Sequence, residues 1–558
     1  MRLRGLGLGS FSSSAALKAV VVALLVGLIG LPAPGIAQEQ RPLSAIDWLR
    51  TGAGSEGPGA YPLTPPSDAQ SDSEISVRAL DALRPEAVGL FPASRVGLPA
   101  ALWGETPAGE LAALIAALPT DMLPALRDLS LRLLLAEFNA PLPDTGSLAS
   151  DRPESPVSQS DRPMSQSAPL LSRPDFLLSR IDKLVEFGAL DQAAAILDAL
   201  DPVDPILRLR RFDIGLLLGD ENRACTRVLL DTPPIGDDAA LIFCLARAGD
   251  WPAAQSTLQV ATDARSLPPY ELDLLTAFIE GDDTLPGAST LLPPPVGTPS
   301  PLVWRMLEAS GDPVATLGLP VAYAHADLRG TIGWRAQLEA AERLVRAGAL
   351  SPNRLLGLYT ERRAAASGGI WERVRLVQAF DDALLSGDAL TTGPALLQAW
   401  PQIQAGELEV PMATLYAQAL GQMALPDEAG ALAFRMGLLS EAYETVALGL
   451  DMDRASPEDR FLAAVARGLD PAQDGAMPGE VAQAVALAFA PDVTLPAEAL
   501  DRLAQGRLGE QMLRVLIQLG GPADPRILTE GLGILRYIGL EDIARRTALE
   551  SLLLNRRG

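Results

Sequence analysis

The stretch LSRIDKLVEFGALDQAAAILDAL, residues 178–200, places apolar residues at three- and four-residue intervals up to Gly188 and small or apolar residues after it. The same pattern returns at 209–230 (LRRFDIGLLLG then DENRACTRVLL), 238–260 (DAALIFCLARAG then DWPAAQSTLQV) and 270–292 (YELDLLTAFIEG then DDTLPGASTLL). The pivot glycines Gly188, Gly219, Gly249 and Gly281 are 31, 30 and 32 residues apart. A fixed period of this length with helical apolar spacing indicates stacked helical hairpins, each unable to bury its oily face alone. Glycine suits the end of a first helix because it enters the left-handed region without steric cost.

The block with this period spans residues 175–290. A proline-rich loop, ASTLLPPPVGTPSP, separates it from a second helical region over 302–558. There the apolar spacing persists, in stretches such as QLEAAERLVRAGAL and GALAFRMGLLSEAYETVALGL, while the period drifts. Gly348, Gly387, Gly437 and Gly539 are expected to stop first helices, with Asp191 and Ser440 as caps for the helices that follow. The sequence therefore predicts an all-α fold, a degenerate α-solenoid of helical hairpins with a small irregular N-terminal segment.

Upstream, residues 139–174 collapse to Ser, Pro, Asp and Gln and contain SDRP twice, at 150–153 and 160–163. Such a segment buries too little apolar surface to offset its ordering entropy and reads as a disordered linker. Residues 73–138 combine Gly-Leu and Pro punctuation, a modest strand signal at Ile75–Arg78, and a helical pair over 106–137 broken at Pro119. Residues 38–72 form a tether with one amphipathic turn, SAIDWLR. Ile46, Trp48 and Leu49 suit docking on the chain's own body or binding to a partner. At residues 1–37, Arg2, Arg4 and Lys18 precede a 13-residue apolar run and a small-residue site at Gly35 and Ala37. That is the pattern of a cleaved export signal; a membrane span needs about 20 apolar residues. The expected location is the periplasm, with no stable membrane span after cleavage.

The chain carries 69 acidic and 45 basic residues, a net charge of −24, and loss of the three basic residues of 1–37 takes it to −27. Such a field repels nucleic acid and anionic lipid. Lysine occurs only at Lys18 and Lys183.

Cys225 lies nine residues before Pro234 and Cys244 ten after it. Antiparallel helices folded about that turn bring both to one height, so a disulfide is expected after export. Two buried thiols acting as small apolar residues are the alternative.

His325 is the single histidine, so zinc sites of His/Cys type and Ser/His/Asp triads have no ordinary ligand set or elbow motif to draw on. No catalytic, metal or cofactor residue is assigned. Asp191, Asp220, Asp250 and Asp282 follow the pivot glycines but lack calcium-loop spacing, and helix capping is their expected role. The densest polar and aromatic collection spans Pro320 to Val374. It includes Tyr323, His325, Asp327, Arg329, Trp334, Arg335, Tyr359, Arg362 and Trp371, with a turn at Ala366-Ser367-Gly368-Gly369. Aromatic and arginine side chains dominate interface hot spots, so these nine residues are the candidate partner-binding set. They equally suit a packed junction between two helical arrays.

The hairpin block resembles tetratricopeptide and Sel1-type repeats in period and in its small residues after the turn. PLSAIDWL at 42–49, AVGLFPASRVGLPAALWG at 87–104 and the stretch from Tyr323 to Tyr359 resemble a family of exported bacterial proteins. Some of its members bear an "antifreeze glycopeptide" label, whose Ala-Ala-Thr repeats are absent here. The resemblance implies a periplasmic scaffold and brings no catalytic residues. The expected function is binding of a protein or peptide in cell-envelope assembly or maintenance. Two rivals stand beside it: a structural spacer, and a superhelical peptidoglycan hydrolase, for which Glu550-Ser551 is the one matching pair, eight residues from the end.

Overall fold

The computed structural model describes residues 84–144, 175–231, 235–280 and 292–554, all within a unit running from Ala79 to Gly558. The expected export signal and tether, the Ile75–Arg78 strand signal, Gly281, Asp282 and residues 145–174 of the expected linker lie outside the described residues. Among those described, regular structure is almost entirely helical. One short parallel pair joins β1 (Phe91–Pro92) to β2 (Ala136–Glu137). No described helix is long and apolar enough to cross a membrane.

The N-terminal pair is α1 (Ala108–Ala116) and α2 (Pro124–Leu135), separated around Pro119 as the sequence indicates. Asn139–Asp144, assigned to the linker from composition, instead runs beside α1. The Ala108 amide donates to the Leu142 carbonyl at 2.8 Å, and the Gly109 amide donates to Asp144 Oδ1 at 3.0 Å. Orphan amides at the start of α1 supply a use for this polar segment that composition does not reveal.

The block expected to hold the repeats follows as α3 (Asp175–Glu186), α4 (Leu190–Leu200), α5 (Pro205–Leu218), α6 (Glu221–Leu230), α7 (Asp238–Arg247), α8 (Trp251–Ala264) and α9 (Pro269–Glu280). Gly188, Gly219 and Gly249 have φ of +76°, +80° and +84° and terminate α3, α5 and α7, which is why the period is punctuated by glycine. Asp250 caps α8 through the Ala253 amide. Asp191 sits inside the first turn of α4, and Asp220 makes no side-chain cap bond. Cys225 on α6 and Cys244 on α7 have their sulfur atoms at bonding distance and their Cα atoms 5.0 Å apart, and both are buried in the core of this block.

Beyond it come α10 (Pro301–Ser310), a 3-10 helix (Val321–Leu328), α11 (Trp334–Arg346), α12 (Pro352–Glu361), α13 (Gly369–Ser386), α14 (Ala389–Ala405), α15 (Glu409–Leu420) and α16 (Asp427–Leu438). The chain ends through α17 (Tyr443–Leu448), α18 (Pro457–Ala466), α19 (Pro471–Asp474), α20 (Glu480–Phe489), α21 (Ala497–Ala504), α22 (Leu508–Leu519), α23 (Pro525–Tyr537) and α24 (Glu541–Leu553). Gly348, Gly387 and Gly539 have positive φ at helix ends. Gly437 does not stop a helix. It lies inside α16, where an added Cβ would come within 2.9 Å of Val446, so its smallness serves helix–helix approach. Ser440 follows that helix and makes a local turn, donating to Gly437 and accepting from the Ala442 amide.

Packing is not confined to neighbours in sequence. α1 packs on α3 and on α22, while α2 packs on α24. The Gly509 amide donates to the Leu102 carbonyl at 2.9 Å, Arg514 pairs with Glu110 at 3.2 Å, and Arg507 joins the same carboxylate. The largest core accordingly unites residues from Ala93 to Leu549, across every expected segment boundary between them.

Candidate functional site

Seven of the nine residues singled out between Pro320 and Val374 divide between two packing environments. The 3-10 helix carries Tyr323, His325 and Asp327 against α3 and α5. Tyr323 donates to the Pro299 carbonyl and sets its ring edge-on to Trp304 at 6.0 Å. Burial, with the Asp213 carboxylate nearby, pushes its hydroxyl up to about 12. His325 Nε2 donates to the carbonyl of pivot Gly188 at 2.6 Å, and burial holds the imidazole below its ordinary value. Thr316 donates to Asp327, whose carboxyl burial raises. Arg329 binds the Ala326 carbonyl and pairs with Glu308. Of these four, His325 ties the 3-10 helix to residues 175–290, while Tyr323, Asp327 and Arg329 hold it to α10 and the loops on either side of that helix.

Trp334, Tyr359 and Trp371 belong to the second core, built from α11 to α16. Trp334 donates to the Leu358 carbonyl at 3.0 Å and tilts against Trp371 with ring centroids 5.2 Å apart. Tyr359 is fully buried and donates to Glu342 Oε1 at 2.5 Å. Arg373 grips both oxygens of Glu342 at 2.8 Å. Burial, then the Glu342 charge, raise the Tyr359 hydroxyl well above its ordinary value. Such a group is held neutral as a donor. Of the nine, Arg335 and Arg362 are exposed, each paired with a local glutamate. The Ala366–Gly369 turn opens α13 rather than closing a helix, with Gly368 at φ +83°.

A second polar site, absent from the reading of the sequence, lies between α4, α5 and α6. It is a notch of about 70 Å³. Residues 208, 211 and 215 of α5 fall on one stripe at three- and four-residue spacing, facing α4 and α6. The opposite stripe, with Asp213, faces Tyr323. Gly215 lets α5 and α6 approach: an added Cβ would come within 3.0 Å of the Ala224 Cβ. Arg208 and Arg211, both buried, pair with Asp231 at 3.7 and 3.4 Å, and Arg211 also reaches Asp201. At the edge, Arg223 pairs with Asp198 at 2.8 Å and Arg227 binds the same carboxylate. The available signal was LRLRRFD, where arginines interrupt an apolar helical stripe at i and i+3.

Asp213 itself is partly buried near Asp182, Asp237 and Glu271, one acid from the first helix or cap of each expected hairpin. Burial and these neighbours push it up to about 7 despite Arg210. Among the described residues no group of three His, Cys, Asp or Glu side chains is placed to hold a metal ion. No family model, curated protein or solved structure matches this chain.

Proposed function

We propose that this chain is an exported, TPR-like scaffold of helical hairpins that binds a protein or peptide partner in the cell envelope. The observation that carries the reading is the outer surface of the repeat block, where α6 and α8 hold Leu229, Leu230, Trp251 and Val260 in solvent. Trp251 is 45 % exposed in a chain with only seven tryptophans, and an exposed aromatic beside exposed aliphatics suits a partner contact. The opposite side of the first helices is occupied by the chain itself, since α10 packs on α5 and the 3-10 helix packs on α3 and α5. A partner therefore meets the outer helices, with the exposed Arg335 and Arg362 as further contacts. The degenerate solenoid supplies the wall, and closure of its first pair onto its last helices stiffens it.

The geometry favours a scaffold over a peptidoglycan hydrolase because the one matching acid, Glu550, is buried and bonded to the start of α2. Residues 1–37 act as the export signal in this reading, and the acidic surface keeps the protein off nucleic acid and anionic lipid. Cell fractionation with chemical crosslinking in intact cells and mass spectrometry tests it. The expected result is a periplasmic protein whose envelope adduct is lost in Leu230→Ala/Trp251→Ala. Retention in the cytoplasm, or adducts indifferent to those substitutions, would refute it.

A further inference from the structure

The proline-rich loop that precedes α10 is fixed at two points and bare between them. Leu292 packs against the core that holds Cys225 and Cys244, and Pro299 is buried with its carbonyl accepting from Tyr323. Between these anchors Pro293 and Pro294 are exposed, Pro295 is half-buried and Val296 is fully exposed. No hydrogen bond joins the backbone of residues 292–298 to that of another described residue.

The conformation of this strap follows from its sequence. Each proline ring holds φ near about −65°, and a residue that precedes proline is pushed out of the helical region. Leu292, Pro293 and Pro294 all precede proline, so Pro293–Pro295 is set as one turn of polyproline II, a form without internal hydrogen bonds. Its chemistry is equally restricted. No charged residue falls between Asp283 and Arg305, in a chain that is 20% charged and carries a net −24. A strap that only braced Leu292 against Pro299 would need the prolines, but neither a bare valine at their end nor an uncharged solvent side.

Proline rings and valine methyls held in this form offer a partner apolar ridges already in place, so little backbone freedom is lost on contact. The surface that matches such ridges is a groove lined by aromatic side chains, which take the rings against their faces. We propose that residues 293–296 are a docking strap, read in its polyproline II form by an aromatic-lined groove on a partner protein. The strap is separate from the exposed surface of α6 and α8, and either can fail without the other.

A photoreactive residue at Val296 in living cells tests it, with Pro293→Ala/Pro294→Ala/Pro295→Ala as the comparison. The expected result is an adduct that maps beside aromatic residues of the partner and falls about ten-fold in the variant, because alanine restores the backbone freedom that proline removes. The unfolding midpoint checks that the variant is folded. A second measurement needs no variant of the chain. The captured protein, purified, should bind a labelled peptide LPPPVGTPSP, residues 292–301, about ten-fold more tightly than LAAAVGTPSP. Absence of an adduct from Val296 in a folded chain, an adduct unchanged by the triple substitution, or a captured protein that binds the two peptides equally or not at all overturns the proposal. Adducts from Val296 with none from Leu230 or Trp251 would remove the α6 and α8 surface and keep the strap. The reverse would remove the strap alone.

Discussion

The Ala125 amide donates to both carboxylate oxygens of Glu550, at 3.1 and 2.9 Å, across 425 positions of sequence. Ala125 is in the first turn of α2, where amides have no partner within the helix, and Glu550 belongs to the last turn of α24. A carboxylate at a helix N-terminus also meets the positive end of the helix dipole. One buried side chain thus fastens the first helical pair to the last helix.

Glu550→Ala leaves that amide buried without its acceptor and should lower stability by about 2–3 kcal/mol, read from urea unfolding. Arg335→Ala, whose side chain is exposed and paired only with Glu339, should change stability by less than about 0.5 kcal/mol. Equal effects of the two substitutions would deny Glu550 its fastening role.

Cleavage at a specific-protease site inserted after Val157 should leave both pieces associated in gel filtration. Lys183 on α3 donates to the Ala116 and Leu118 carbonyls at 2.9 Å, and Arg180 donates to the Leu134 carbonyl at 2.7 Å, so α1 and α2 are held from α3 as well as from α22 and α24. Separation into two species would contradict this packing.

Asp213 gives a pH dependence with a definite sign. Burial and the acids around it hold its folded-state value near 7, above the ordinary value of 3.8. Its contribution is fully present below the unfolded value and is lost as pH rises through the folded one, because the unfolded chain ionises first. Asp213→Asn should therefore match the unmodified chain near about pH 3.5 and become the more stable of the two between about pH 4 and 7. A urea midpoint difference that is flat over that window would refute the assignment.

Cys225 and Cys244 are both buried, so reductant should remove the bond only when denaturant is present. Cys225→Ser/Cys244→Ser should cost about 3 kcal/mol by the chain-entropy estimate for a loop of this size. Thiol titration of the unreduced chain in denaturant should find none, and free thiols there would contradict the pairing.

What the sequence conveys well is local. Gly188, Gly219 and Gly249 are legible because a left-handed stop excludes nearly every other residue, and the cysteine pair is legible because helix rise sets its register. Gly437 misleads because a glycine chosen for close approach to Val446 looks the same in sequence as one chosen for its φ. The aromatic cluster shows the same limit: Trp334 and Tyr359 carry polar atoms that satisfy themselves on Leu358 and Glu342, and composition does not say which way a ring faces. End-to-end closure leaves only faint marks. At Gly104 an added Cβ would fall 1.9 Å from the Gly506 carbonyl oxygen, and at Gly509 it would fall 2.6 Å from Trp103. Gly509 is explained by a partner some 400 residues away, and Gly104 both by such a partner and by its φ of +47°. The notch arginines were legible in kind, as cations within an apolar stripe, but their convergence on Asp198 and Asp231 needs the fold.

Site-specific photo-crosslinking in living cells tests the scaffold claim most directly, with the reactive residue placed in turn at Leu230, Trp251, Leu385 and Leu448, all of them exposed. The account predicts adducts to a common envelope protein from Leu230 and Trp251 and none from the other two positions. Adducts from Leu385 and Leu448 alone, or none from any position in a folded and exported chain, would contradict it.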